Sequence, residues 1–131
     1  MAILATLVGL TAMVENRALN LQQAEQAAEL LRIELVSART ESIANTHDGR
    51  WGVHIENNVI VQFQGDGYDV RDAAYDKRLE FAEDVTVSGT RDYVFERPSG
   101  LPLNNGETDF SNIGSAYRVT VNRYGAVEVA R

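Results

Sequence analysis

Residues 3–44, ILATLVGLTAMVENRALNLQQAEQAAELLRIELVSARTESIA, contain no proline and one glycine, Gly9, and read as a single uninterrupted helix with two different halves. Residues 3–14 carry no charge, whereas residues 15–44 are charged and amphipathic. At 1.5 Å of rise per residue such a helix is roughly 60 Å long, about twice the width of a small domain. It is too long to be packed along its whole length against the rest of the chain. Leu21, Ala24, Ala28, Leu31, Leu35 and Ala38 recur at three- and four-residue steps and form one apolar stripe. Glu25, Glu29, Arg32 and Arg39 lie off it. The stripe is expected to cover a hydrophobic core, with residues 3–14 projecting beyond it.

A membrane-spanning helix needs about 20 apolar residues, so residues 3–14 alone are too short to span. They do not read as a secretory signal, because no basic residue precedes them and the helix continues through Glu15 without a cleavage site. Ala5 and Gly9 stand four apart, a spacing that lets helices approach closely. Two readings stay open: part of a membrane or helix-bundle segment whose front is missing, or an ordinary buried helix.

The 131 residues make one domain's worth of sequence. With 12 basic and 19 acidic residues the net charge is -7, which opposes non-specific attraction to nucleic acid and to anionic lipid. There is no cysteine, which removes disulfides, thiolate nucleophiles and zinc–thiolate sites.

After residue 44 the periodicity changes. Asn45, Thr46, His47, Asp48 and Gly49 are turn formers and end the helix, with glycine as the stop. Trp51, Val53 and Ile55 alternate with Gly52 and His54, and Glu56-Asn57-Asn58 turns the chain into a second strand, residues 59–63. Residues 65–77 (GDGYDVRDAAYDK) read as an acidic loop, and residues 79–81, 85–87 and 93–95 as short strands. Residues 97–111 hold both prolines and read as the longest loop. Tyr117, Val119 and Val121, the turn Asn122-Arg123-Tyr124-Gly125, then Val127 and Val129 make the clearest hairpin. The class is α+β: a long N-terminal helix, residues 1–45, on an antiparallel sheet of about six or seven short strands in a head, residues 46–131, as one structural domain.

The order of these elements resembles the type IV pilin-like proteins. It is most similar to the minor pseudopilins of the type II secretion H class and their type IV pilus relatives. Residues 35–44, LVSARTESIA, resemble the "L-x-x-A-R-(S/T)-E-A-I" end of the helix in that class. Residues 51–55, WGVHI, resemble its first strand, "W/Y-G-V-x-F", and residues 117–129, YRVTVNRYGAVEV, its closing hairpin, "I-x-V-x-x-x-G-x-V-x-V". The family's "G-F-T-L-I-E" processing site, with an acidic residue at the fifth mature position, does not occur; the chain begins Met1-Ala2-Ile3. The resemblance therefore implies a native chain with residues ahead of Met1, residues 3–14 being the second half of its hydrophobic helix.

The resemblance further implies a non-enzymatic assembly subunit of a pseudopilus or pilus. Its helix is stored in the bacterial inner membrane, single-pass in full length with a methylated N-terminus, and its head lies in the periplasm or outside. Ile3, Leu4, Leu7, Gly9, Leu10, Met13 and Val14 would then serve membrane storage and filament packing, and Leu21, Ala24, Ala28, Leu31, Leu35 and Ala38 would hold the head. The implied partners are other pilin or pseudopilin subunits and the inner membrane, with no cofactor, small-molecule substrate or nucleic acid. The C-terminal Arg118, Arg123 and Arg131 stand beside Glu128 on an acidic protein, which argues against DNA.

Oxygen ligands for calcium are available at Asp66, Asp69, Asp72 and Asp76, without the spacing of an EF-hand loop, and at Glu107 and Asp109. His47 and His54 lack the further ligands of a zinc site and read as a turn residue and a strand-surface residue. Ser37, Ser42, Ser88 and Ser99 lie in no nucleophile-elbow context. The alternative function is a soluble α+β ligand-binding module using loops 65–77 and 97–111.

Overall fold

A computed structural model describes the backbone from residue 2 and the side chains of residues 23–131. Helix α1 runs Ala2–Ile43. Ile3, Leu4, Leu7, Gly9, Leu10, Met13, Val14 and Leu21, the residues expected to pack in membrane or filament or to begin the stripe, lie outside the described side chains. Eight strands follow: β1 Trp51–Glu56, β2 Val59–Gln64, β3 Asp72–Glu80, β4 Thr86–Gly89, β5 Asp92–Phe95, β6 Gly106–Asn112, β7 Ser115–Val121 and β8 Val127–Ala130. They form two antiparallel four-stranded sheets, β3-β2-β1-β5 and β4-β6-β7-β8, so the expected single sheet of six or seven strands is corrected to two sheets and eight strands.

One face of α1 closes both sheets. Ala24, Ala28, Leu31, Leu35 and Ala38 are fully buried, as the periodicity predicts, and Ala27 joins them. They pack with Trp51, Val53, Ile55, Ile60, Tyr93 and Phe95 from the first sheet and Phe110, Val119 and Val121 from the second. The division of sizes is physical. Alanines on the helix let its backbone come close, and the aromatic and branched side chains of the strands fill the space between. The aromatics Trp51, Tyr93 and Phe95 are thus core residues.

The helix stops where expected but not by the expected residue. Asn45 takes the left-handed conformation (φ 54°, ψ 38°), and Gly49 is extended. Asparagine tolerates that conformation because its short polar side chain bonds locally; here its Nδ2 donates to Asp48 Oδ1 at 3.3 Å. The β1–β2 hairpin turns where predicted, but on two residues, Asn57 and Asn58, because Glu56 is still in β1 opposite Val59. The β7–β8 hairpin turns at residues 122–126: Asn122 Oδ1 accepts from the backbone N–H of Tyr124 (2.9 Å) and Ala126 (3.0 Å), and Gly125 has φ +86°.

Both predicted long loops run into strand at their C-terminal ends. In 65–77 only residues up to 71 are loop, and β3 begins at Asp72. β3 is an edge strand exposed along nearly its whole length, so no apolar alternation marks it. Its four residues 73–76 bulge opposite Phe63 alone, between the pairs Gln62↔Lys77 and Gln64↔Asp72. In 97–111 the strand β6 starts at Gly106, with Thr108 and Phe110 buried and Glu107 and Asp109 turned outward. The alternation is hidden because a threonine holds an inward position, where its hydroxyl pairs with the Tyr93 hydroxyl at 2.8 Å. A ligand site built from two open loops at 65–77 and 97–111 therefore lacks much of its loop. The strand expected at 79–81 ends at Glu80, and that expected at 85–87 is displaced to Thr86–Gly89.

The two sides of α1 differ in what they contribute to stability. Leu31→Ala is expected to lower the unfolding free energy by about 3–4 kcal/mol through transfer and cavity costs. Ile33→Ala, at a side chain left 50% exposed, is expected to change it by no more than about 0.5 kcal/mol. Urea unfolding of the two variants at equal protein concentration reads both values.

Candidate functional site

The surface that organises the head is the inner face of α1, held by three polar anchors set among the apolar stripe. The first is at the helix end. Ser42, fully buried, accepts a hydrogen bond from the Trp51 backbone N–H at 2.8 Å and donates to the Trp51 carbonyl at 3.3 Å. The Trp51 indole N–H reaches back to the Thr46 carbonyl at 2.9 Å. The last turn of the helix and the first residue of β1 thus form one unit.

Arg39 supplies the second anchor. Its Nε donates to the Gly100 carbonyl at 3.1 Å, and the turn of the last hairpin packs on the same side chain. A Cβ at Gly125 would stand 2.6 Å from Arg39 Nε, and one at Gly100 2.6 Å from Ile43 Cγ1. Both glycines also have positive φ, +86° at Gly125 and +72° at Gly100, so neither position accepts a side chain without strain. One arginine thereby gathers the loop after β5 and the turn after β7 against the helix.

The third anchor is a buried carboxylate. Glu34 is 1% exposed and receives Lys77 Nζ of β3 at 3.1 Å. With the Gln62 amide oriented to suit its neighbours, its NH2 donates to Glu34 Oε2 at 3.0 Å and its oxygen accepts from Ser37 Oγ at 3.2 Å. A carboxylate removed from water costs several kcal/mol unless paired and hydrogen-bonded. Glu34 is accommodated only where β2 and β3 present Gln62 and Lys77, and this fixes how far along the helix the first sheet sits.

The outer face of the same helix is different. Ile33, Val36 and Ile43 are 50%, 45% and 43% exposed, and Leu101, in the loop beside Gly100, is 43% exposed. Ion pairing along this side is light, as in Arg32 with Glu29 at 2.9 Å, both well exposed.

The carboxylates considered for calcium do not converge. Asp66 faces Arg50 at 3.4 Å, Asp69 lies in the short helical turn Tyr68–Val70, and Asp72 accepts from the Ala74 backbone N–H at 3.1 Å. Asp76 is held by Arg71 at 2.9 Å. Glu107 and Asp109 do come together, on the outward side of β6, but around Arg118, at 3.3 and 2.8 Å. Among the described residues no three His, Asp or Glu side chains gather where one ion would be held. The serine hydroxyls of the helix are engaged in structure, Ser42 with Trp51 and Ser37 with Gln62. The arrangement is built to hold elements together.

No family model and no curated protein sequence matches the chain. Two solved structures of the minor pseudopilin EpsH from the type II secretion system of Vibrio cholerae do share its fold. One aligns with a TM-score of 0.63 at 14% identity, over 82% of this chain and 96% of that one. The other aligns with a TM-score of 0.63 at 12% identity, over 82% and 93%. The fold is that of a minor pseudopilin. At such identities the likeness lies in the path of the chain, one N-terminal helix on antiparallel sheets. It agrees with the order of elements that the motifs at 35–44, 51–55 and 117–129 suggested.

Within this pseudopilin fold the sequence marked the stripe and missed the anchors. Glu34 was the readable one: it lies three residues after Leu31 and four before Ala38, a charge inside an apolar face. Gln62 and Ser42 carry no such mark. Arg39→Ala is expected to destabilise the fold by about 1–2 kcal/mol, the worth of a charge-assisted hydrogen bond. It is also expected to speed amide exchange selectively at Gly100 and Gly125, which hydrogen-exchange NMR resolves from global unfolding.

Proposed function

We propose that this protein is a structural subunit of a type II secretion pseudopilus, incorporated through its N-terminal helix and without catalytic activity. The observation that carries the proposal is the pairing of a minor-pseudopilin head fold, aligned over 96% of a solved minor pseudopilin, with a front segment, residues 3–14, that bears no charge. In this reading the helix is stored in the bacterial inner membrane with the head in the periplasm, then moves into a filament where it packs against helices of other pilin or pseudopilin subunits. Ala5, Gly9 and Ala12 are the small residues that allow close approach. Among the described residues no helix is long and apolar enough to cross a membrane, so storage depends on residues 3–14 and on whatever precedes them.

The head's part follows from its attachment. An assembly that pulls or pushes on the helix moves the head only if the two are rigidly joined, and the buried stripe with its three anchors provides that joint. The exposed Ile33, Val36 and Ile43 give the same helix apolar side chains for neighbouring subunits.

Sedimentation and detergent partitioning of the 131-residue chain against a form lacking residues 1–22 test the role. The full chain is expected to self-associate or enter detergent micelles, and the shortened form to be monomeric with unchanged near-UV circular dichroism. A full chain that stays monomeric and outside micelles would remove the basis of the proposal. On the native protein from source cells, mass spectrometry is expected to find an N-methylated first residue upstream of Ile3 and an acidic residue four positions after it.

A further inference from the structure

A sheet ends in strands whose outer row of N–H and C=O groups has no neighbour, and folded proteins guard such rows against pairing with other chains. The two sheets of this head have four such edges, β3 and β5 on the first and β4 and β8 on the second. Three of them are guarded. β3 carries its bulge and charged side chains at Asp72, Asp76, Lys77, Arg78 and Glu80. Along β5 the following loop runs back, with Phe95 bridged to Pro102 and the Leu103 N–H donating to the Val94 carbonyl at 2.8 Å. On β4 the Arg91 guanidinium donates to the Val87 carbonyl at 3.1 Å.

β8 has none of these devices. Its register pairs Val127 with Val121, Glu128 with Thr120, Val129 with Val119 and Ala130 with Arg118. The turn ahead of it decides which pairs exchange hydrogen bonds. The Asn122 N–H donates to the Ala126 carbonyl at 3.1 Å, and bonded pairs alternate with non-bonded ones along an antiparallel ladder. Glu128 and Ala130 therefore bond to β7, while the N–H and C=O groups of Val127 and Val129 point out of the open edge. The β6–β7 hairpin gives the same phase independently. Its two-residue turn closes on the pair Asn112 and Ser115, so the odd-numbered residues of β7 bond to β6 and the even-numbered ones to β8. Among the described residues no hydrogen bond reaches the outward groups of Val127 and Val129.

We propose that the open edge of β8 takes an extended segment of a partner protein as a fifth strand of the second sheet, a segment with apolar residues at alternate positions and basic residues between them. In strand addition the main-chain bonds supply affinity and the alternating side chains supply specificity. Here the bonds come from Val127 and Val129, and the neighbouring side chains set the preference. Val127 and Val129 turn inward and pack against the core, so the partner residues opposite them fall on the helix side of the sheet, where apolar side chains are favoured. On that helix Val36 and Ile43, 45% and 43% exposed, lie three and four residues from Arg39, which seats the turn before β8.

Glu128 turns the other way, exposed and without an ion pair among the described residues. A partner residue opposite it stands on the outer face about 5 Å away between Cβ atoms, close enough for an opposite charge to stabilise the pair and a like charge to weaken it. The net charge of -7 draws a basic segment toward the edge in the first place. This pairing does not rest on the assembly role and holds for the chain outside any filament.

The test uses the 131-residue chain in nonionic detergent and a synthetic peptide of alternating lysine and valine, capped at both ends. At saturating peptide, amide exchange at Val127 and Val129 is expected to slow roughly tenfold, the scale of one net hydrogen bond, with β3 unchanged. A capped peptide of alternating glutamate and valine is expected to bind several-fold more weakly. Val129→Pro removes one outward N–H and leaves the β7 ladder intact, since proline is tolerated where an edge N–H faces solvent. It is expected to weaken binding of the lysine peptide roughly tenfold. The variant keeps the charge of the protein, which separates strand addition from mere attraction of a basic peptide to an acidic surface. Glu128→Lys, at an exposed site that the fold does not depend on, is expected to reverse the preference between the two peptides. Unchanged exchange at Val127 and Val129, protection along β3 instead, full affinity in a folded Val129→Pro chain, or the same peptide preference in Glu128→Lys would each overturn the proposal.

Discussion

Everything in this head depends on one side of one helix being hidden. A 42-residue helix gains little from its own hydrogen bonds in water and is stabilised mainly by packing. Here the packing is supplied by two sheets at once, β1, β2 and β5 on one flank and β6, β7 and β8 on the other. Neither sheet closes alone. Each has apolar side chains that only α1 covers, and the stripe from Ala24 to Ala38 needs both to be buried. The sheets are therefore joined chiefly through the helix, and a change that loosens α1 loosens both.

Apolar burial alone leaves such a helix free to slide, because a stripe with a seven-residue rhythm presents nearly the same face one turn further on. The anchors remove that freedom. Glu34 is tolerable only opposite Gln62 and Lys77, and a slip of one turn would bury the carboxylate among apolar side chains. Arg39 and Ser42 do the same for the loops and for β1. Buried polar groups of this kind add little net stability and define register instead.

The helix and the two hairpins were legible in the sequence because each expresses a local rule. Residues 24–38 repeat with the helical period, and Asn57-Asn58 and Asn122–Gly125 carry their own turn chemistry. The second sheet was not legible as separate, since strand pairing is set by contacts distant along the chain. β3 and β6 escaped for opposite reasons. β3 is an exposed edge that needs no apolar alternation, and β6 has the alternation but writes one inward position as Thr108, a residue suited to Tyr93 and invisible without it. The candidate calcium ligands stand apart for a related reason: carboxylates close in sequence, such as Asp66 and Asp76, are drawn to Arg50 and Arg71, which no spacing rule brings near them.

Segment 65–71, between β2 and β3, belongs to a different energetic layer from the helix. Its contacts lie on the face of the first sheet opposite α1, and they are made by one stacked ring, a few ion pairs and a short turn with little apolar burial of its own. Segments of that kind open at a fraction of the free energy of global unfolding. The seat of the helix, by contrast, opens only when both sheets come apart. The four-residue bulge of β3 brings Asp76 back to Arg71 and ties segment 65–71 to itself ahead of Lys77, where β3 grips Glu34.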